Sequence, residues 1–169
     1  MQELVDRRIE IITPTSKSEI ADGRVLHYEY IEQVGSQPLL RPYFEAQNFA
    51  ADIDQMPRGY EAPDGVYLVA YVNGVPAGTV AVRRIDETTC EMKRLYVRRA
   101  FQGFGLGRML AEKAIAESKK LGYSRMRLDN SKSVMTKANA LYASLGFYEI
   151  EPYNRNFVVD AYFMEKILS

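Results

Sequence analysis

Gly103, Gly105 and Gly107 stand at alternate positions in the run Gln102-Gly103-Phe104-Gly105-Leu106-Gly107-Arg108, where a strand pattern gives way to a helical one. Amide N–H groups at a helix start carry partial positive charge and have no partner within the helix. Glycines let an anion approach such a backbone without meeting a Cβ. Arg98, Arg99 and Arg108 add positive charge nearby, so a pyrophosphate is a natural guest. Two familiar phosphate loops do not fit. A P-loop ends in Gly-Lys-Ser/Thr, whereas Gly107 is followed by Arg108 and Met109; the dinucleotide fingerprint needs a glycine where Arg108 stands. On its own, a glycine triplet also serves as a tight strand-to-helix turn with no ligand.

The elements that must carry this loop follow from the spacing of apolar residues. Ile9–Thr13 is expected to open as a strand, Asp22–Val34 and Arg41–Ile53 as helices, and 54–65 as a loop rich in turn formers. The stretches 66–72 and 75–85 alternate as strands around Asn73-Gly74, a pair suited to a tight hairpin turn. A third strand follows the turn at Asp86-Glu87, over 88–97, with Glu91, Lys93, Leu95 and Val97 expected on one face. From Leu106 the spacing becomes helical through Met109, Leu110, Ala114 and Leu121, with Gly122 just beyond. Arg125–Asp129 reads as a short strand and Ser133–Leu145 as a helix ending at Gly146. The stretches 147–153 and 161–167 read as two closing strands. The order implies a mixed α/β sandwich around a central sheet.

The bulk composition bounds the function. The 169 residues suit one domain, 1–169, and a 47% apolar share is enough for a core. Lys plus Arg equals Asp plus Glu, 22 each, which gives no general hold on nucleic acid or on an anionic membrane. Cys90 is the one cysteine, so no intrachain disulfide forms. One histidine and one cysteine make a zinc site improbable, and no metal is expected. The first residues lack the apolar run of a signal peptide, and no stretch of about 18 apolar residues occurs. The expectation is a cytoplasmic protein.

The stretch 91–118, with its glycine loop, and Leu141–Phe147 downstream resemble the GCN5-related N-acetyltransferases. That family's signature is Arg/Gln-x-x-Gly-x-Gly/Ala, matched by Gln102 to Gly107 between a strand and a helix. A second block, a helix ending in Leu-Tyr-x-x-Leu-Gly-Phe, matches Leu141 to Phe147. The resemblance runs from about Val66 to the end of the chain. It implies the acyl-CoA N-acyltransferase fold: a mixed, mostly antiparallel central sheet with splayed middle strands, flanked by helices. It puts the acetyl-CoA-binding core at about 66–147 and acceptor-side helices at about 16–56.

The resemblance also implies roles. Backbone N–H groups of Gln102, Gly103, Phe104, Gly105, Leu106, Gly107 and Arg108 would hold the pyrophosphate of acetyl-CoA. Leu95, Tyr96 and Val97 would pair with its pantetheine arm, and Arg125–Asp129 would be the second splayed strand, with Asn130 at its mouth. An acceptor amine must be neutral to attack, and a lysine-like amine has a pKa of about 10.4. Glu91 occupies the position of the family's glutamate base, acting directly or through water. An amide N–H near Leu95 is the expected oxyanion donor. Tyr142 occupies the position of the acid that meets the departing sulfur, although a thiol of pKa about 8.5 leaves fairly well unaided. Ala138, one turn earlier, would admit the thioester by its small size. Many members carry an asparagine where this chain has Met135, and Asn130 and Asn139 are candidates for the missing polar contact.

Cys90 should face away from Glu91 and carry no chemistry. His27 is expected in a surface helix, in a structural role. The acceptor would enter between the N-terminal helices and the loop 151–160. Tyr153, Asn154, Arg155, Asn156, Tyr60 and Arg94 are candidates there, an arginine suiting a substrate carboxylate. The expected activity is transfer of acetyl from acetyl-CoA to a small or amino acid-like primary amine by direct attack in a ternary complex. A non-catalytic acyl-CoA sensor would keep the loop and lose Glu91 or Tyr142; both are present. The expected partner is a small-molecule amine, with neither nucleic acid nor membrane. Family members are often dimers, which leaves a homodimer open.

Overall fold

The computed structural model describes residues 6–46, 48–155 and 160–169; of the acceptor candidates, Asn156 lies outside these. The elements in order are β1 (Ile9–Ile12), α1 (Lys17–Gly35), α2 (Arg41–Ala46), α3 (Phe49–Gln55), β2 (Val66–Val72), β3 (Val75–Arg84), β4 (Thr89–Val97), α4 (Leu106–Lys120), β5 (Arg125–Ser131), α5 (Thr136–Ser144), β6 (Tyr148–Glu149) and β7 (Ala161–Ile167). They form one sheet in the order β1-β2-β3-β4-β5-β7-β6. Every pair is antiparallel except β4 with β5.

Strand alternation divides the core between the two faces. Val66, Leu68, Ala70 and Val72 of β2 pack in the cluster that contains Leu110, Ala111 and Ala114 of α4. Tyr67 and Val69 face the other way, onto Leu26 of α1, Ile53 of α3, Met56 and Tyr60. The sheet is thus covered by α1 and α3 on one side and by α4 on the other.

Several boundaries differ from the sequence expectation. α1 begins at Lys17 rather than Asp22, because Ser16 and Glu19 form a reciprocal capping box, with Glu19 N donating to Ser16 Oγ at 3.1 Å and Ser16 N to Glu19 Oε2 at 3.0 Å. The expected helix 41–53 is two, with α3 starting afresh from Asn48, whose side chain accepts from Ala51 N. α5 starts at Thr136 rather than Ser133. Ser133 N donates to Asp160 Oδ2 and Val134 N to Ser131 Oγ, so these amides are held in a turn. The expected strand 147–153 shrinks to β6, and Asn130 lies inside β5, paired with Tyr162, rather than in a loop.

β4 holds the consequential departure. Ala81 pairs with Lys93, and Thr79 pairs with Tyr96, so β4 carries one more residue than β3 across this interval. Arg94, at φ 57, takes the left-handed conformation; among the described residues only Asn73, in the hairpin turn, is another non-glycine with positive φ. A bulge reverses which face each later side chain takes. Glu91 and Lys93 therefore lie on one face, while Leu95 and Val97 pack with Cys90 and Met92 against the α4-side cluster. The expected common face for Glu91, Lys93, Leu95 and Val97 is incorrect for this reason.

Candidate active site

β4 and β5 pair only from Thr89–Arg125 to Glu91–Arg127 among the described residues. Beyond that point they part. The gap is a cavity walled by Met92, Lys93, Arg94 and Leu95 of β4, by Leu128 to Ser131 of β5, by Tyr142 of α5, and by side chains of α1 to α3. A second groove continues from it past Leu95, Tyr96 and Val97 to Gln102, with Thr136, Lys137 and Ala138 opposite. The two share Tyr30, Val34, Leu95 and Met135, so they adjoin.

The groove leads to the start of α4. Gly105 is its N-cap at φ 80, and no side chain caps it among the described residues. The first amides of the helix therefore have no partner within it. A Cβ added at Gly103 or Gly105 would meet nothing within 4 Å, so the backbone is bare on that side. Such a bare, uncapped and turn-forming backbone fits a diphosphate. Gln102 Nε2 donates to Val97 O at 2.9 Å and steadies the loop, while Leu106 is buried as its apolar anchor. Phe104 is exposed, with the Arg7 guanidinium 3.6 Å from its ring centroid. Arg108 donates to Ser144 Oγ at 2.5 Å. Arg98, expected to add charge to the loop, is committed elsewhere: its Nε and Nη2 grip the Glu29 carboxylate and its Nη1 donates to Pro76 O.

Tyr142 is buried at the cavity floor, edge-on to Phe147. Burial first, and the neighbouring Tyr30 second, raise its phenol pKa above the ordinary value; a hydrogen bond with Asn130 works against them. The phenol therefore keeps its proton across the neutral range. Asn130 Nδ2 donates to Asn139 Oδ1 at 3.0 Å, and Asn139 Nδ2 donates to Ser131 O at 3.0 Å. Asn139 is buried and ties α5 to β5, while Asn130 reaches both the cavity wall and Tyr142.

Glu91 is 1% exposed. Its carboxylate accepts from Arg83 Nε at 2.9 Å and from the Tyr153 hydroxyl at 2.6 Å, and lies 3.5 Å from Lys93 Nζ. It sits at the last β4–β5 pair, one step below the cavity, whose wall begins at Met92. The structure thus brings Tyr142, Leu95, Asn130 and the glycine loop along one path, with Glu91 behind Lys93. Lys93, expected on the Glu91 face but with no role, also lines the cavity; its type and its place two residues after Glu91 are the sequence signal for it. Burial lowers the Lys93 pKa, and Glu91 partly opposes that.

The remaining candidates separate. Arg94 is buried and lines the cavity; it pairs with Asp52, while its Nε has no partner among the described residues. Burial alone would raise the Asp52 carboxyl, but Arg94 holds it below the usual range. Tyr60 donates to Asp52 Oδ2 at 3.0 Å. Asn154 Nδ2 donates to Asp129 Oδ2 at 2.9 Å, so the loop after β6 closes over the splay at Tyr153 and Asn154. Arg155 is exposed. Cys90 is buried on the opposite face, and burial pushes its thiol up to about 12, unsuited to a nucleophile. His27 is not on a surface: it is fully buried, stacked on Tyr67 at 5.5 Å, and burial drives its pKa down to about 3. Among the described residues no group of three or more His, Cys, Asp or Glu could hold a metal ion, and no helix is long and apolar enough to cross a membrane.

A sheet opened between β4 and β5, with an uncapped helix start at the outer end of the gap, defines an acyl-CoA N-acyltransferase type of fold. The model of the acetyltransferase (GNAT) family matches residues 34–147. An uncharacterized N-acetyltransferase of Schizosaccharomyces pombe is 35% identical over 153 residues, covering 89% of this chain and 90% of that protein. Human N-acetylaspartate synthetase is 34% identical over 116 residues, 66% of this chain and 37% of that longer protein. The fold matches Salmonella typhimurium yncA, solved with its cofactor acetyl-CoA, at a TM-score of 0.70 and 23% identity, covering 95% of this chain and 94% of that one. The chain belongs to the GNAT acetyltransferase family.

Proposed function

We propose that this acetyl-CoA-dependent N-acetyltransferase acts on the primary amine of a small, amino acid-like acceptor, by direct attack within a ternary complex. The observation that carries the reading is the continuous path from the bare start of α4, past Leu95 to Val97, into the cavity floored by Tyr142. Acetyl-CoA supplies an already activated thioester, so no acyl-enzyme is required. The amides of 103–108 bind the diphosphate, and Leu95 to Val97 lie along the arm. The Leu95 N–H, next to the bulge and beyond the β4–β5 pairing, takes the role of donor to negative charge growing on the acetyl oxygen. Tyr142 donates its proton to the leaving sulfur. Glu91 is the final proton acceptor from the amine.

The cavity wall supports a small acceptor carrying a carboxylate. Arg94 offers a cation on the cavity wall, with Asp129 across the splay for the amine. The activity of N-acetylaspartate synthetase on an amino acid, as its name states, agrees with this class. The test is to mix the purified chain with acetyl-CoA and a panel of amino acids, polyamines and peptides, and to follow free thiol. Release with amino acids is expected. Coenzyme binding with no release across the panel would favour a sensor.

A further inference from the structure

The base expected from sequence does not reach the space where an acceptor would lie. Glu91 is enclosed by three partners: Arg83 on β3, Tyr153 from the loop after β6, and Lys93 on its own strand. Of these three, Lys93 alone also lines the cavity. Its side chain is 11% exposed, and Nζ lies 3.5 Å from Glu91 Oε1. The bulge at Arg94 ends the alternation that puts Glu91 and Lys93 on one face, with Lys93 as its last member.

Resting on the N-acetyltransferase reading, the geometry points to Lys93 as the group that takes the proton from the acceptor amine, with Glu91 as the store behind it. In the first step the Lys93 ammonium passes one proton to the Glu91 carboxylate, leaving a neutral amine beside a carboxylic acid. The acceptor ammonium then gives one proton to the lone pair of Lys93 Nζ and becomes nucleophilic. Its nitrogen forms the C–N bond as the C–S bond breaks, with the electron pair leaving on sulfur. Tyr142 protonates that sulfur and recovers a proton from the new amide nitrogen. Glu91 returns its proton to solvent, so one proton is released per turnover.

The surroundings disfavour the charged form of Lys93. Lys93 is desolvated, and Arg83 and Arg94 oppose its charge, while Glu91 and Asp129 favour it; the net direction is a lowered pKa. Tyr153 faces Glu91 from the far side, and Asp52 of α3 is held by Arg94. The acid limb of a pH profile then reports protonation of the Lys93 amine.

The test compares Lys93→Met, Lys93→Arg and Glu91→Gln in the full chain, each first shown by calorimetry to bind acetyl-CoA. Both Lys93 variants should lose about 10²-fold or more in kcat. Arginine keeps the charge but cannot deprotonate, so near-normal turnover in Lys93→Arg overturns the proposal and leaves an electrostatic role. Lys93→Cys alkylated with bromoethylamine carries an aminoethyl thioether of lower basicity. It should regain turnover with the acid limb of its profile moved to lower pH; recovery with no move overturns the proposal. Treated wild type is the control, since Cys90 is buried. Should Glu91→Gln and Lys93→Met both keep full turnover, the base assignment itself fails. Loss in Glu91→Gln with full activity in Lys93→Met removes only the relay.

Discussion

Tyr142→Phe separates chemistry from packing at the cavity floor. The substitution keeps the ring that packs edge-on to Phe147 at 5.6 Å and removes a hydroxyl whose partner is Asn130. Asn130 keeps its bond to Asn139, so little is left unsatisfied. One hydrogen bond is worth about 1 kcal/mol, a fall in Tm of roughly 2–4 °C for a chain of this size. The catalytic loss should be larger. General acids contribute about 10²–10⁴-fold, and a thiol of pKa about 8.5 is a tolerable leaving group, so the lower figure, about 10², applies at pH 7. The loss has a signature. Above about pH 8.5 the departing thiolate no longer needs a proton, and the gap to wild type should close. The assay is thiol release at saturating acetyl-CoA from pH 7 to 9.5, with coenzyme affinity measured in parallel. Affinity should stay within about twofold. Unchanged turnover at pH 7 refutes the assignment, and a large loss that does not vary with pH assigns Tyr142 to orientation instead.

The two glycines flanking Leu106 should respond differently. Gly105 sits at φ 80, so Gly105→Ala strains the turn by about 1–2 kcal/mol and should weaken acetyl-CoA binding about tenfold by calorimetry. At Gly107 a Cβ would make only ordinary 3.8 Å contacts with Leu141 and Val97. Gly107→Ala should bind normally and melt no lower, since alanine suits a helix better by up to about 1 kcal/mol. His27 is held neutral by burial, with its pKa lowered to about 3. The unfolded chain takes its proton near pH 6.5, so this contribution is complete above about 6.5 and is lost as pH falls toward 3. The slope reaches about 1.4 kcal/mol per pH unit; denaturant unfolding of His27→Leu should be flatter than wild type over that window. A Cβ at Gly23 would lie 2.0 Å from the Tyr67 hydroxyl, itself without a partner among the described residues. Gly23→Ala should cost about 1–3 kcal/mol, and adding Tyr67→Phe should recover part of it; equal stability of the two would refute the clash.

Local signals carried much of the architecture. The alternation of Val66 to Val72, the Asn73-Gly74 turn and the helical spacing from Leu106 all correspond to observed elements. The Ser16–Glu19 box was equally readable, since it needs only residues three apart. Helix ends set by distant partners were not: the start of α5 depends on Asp160, 27 residues from Ser133. The burial of His27 is not legible locally because it depends on Tyr67 and Thr79 packing from the sheet, far along the chain.

By itself the sequence determined the family and the glycine loop and made Tyr142 a candidate, because each rests on residue types at fixed short spacings. The tertiary structure alone decided which groups meet. The bulge at Arg94 reversed the later face of β4, Arg98 went to Glu29 instead of the loop, and Lys93 rather than Glu91 came to line the cavity. Face and reach in a strand depend on register against its neighbours, and register is set by side chains far apart in the chain.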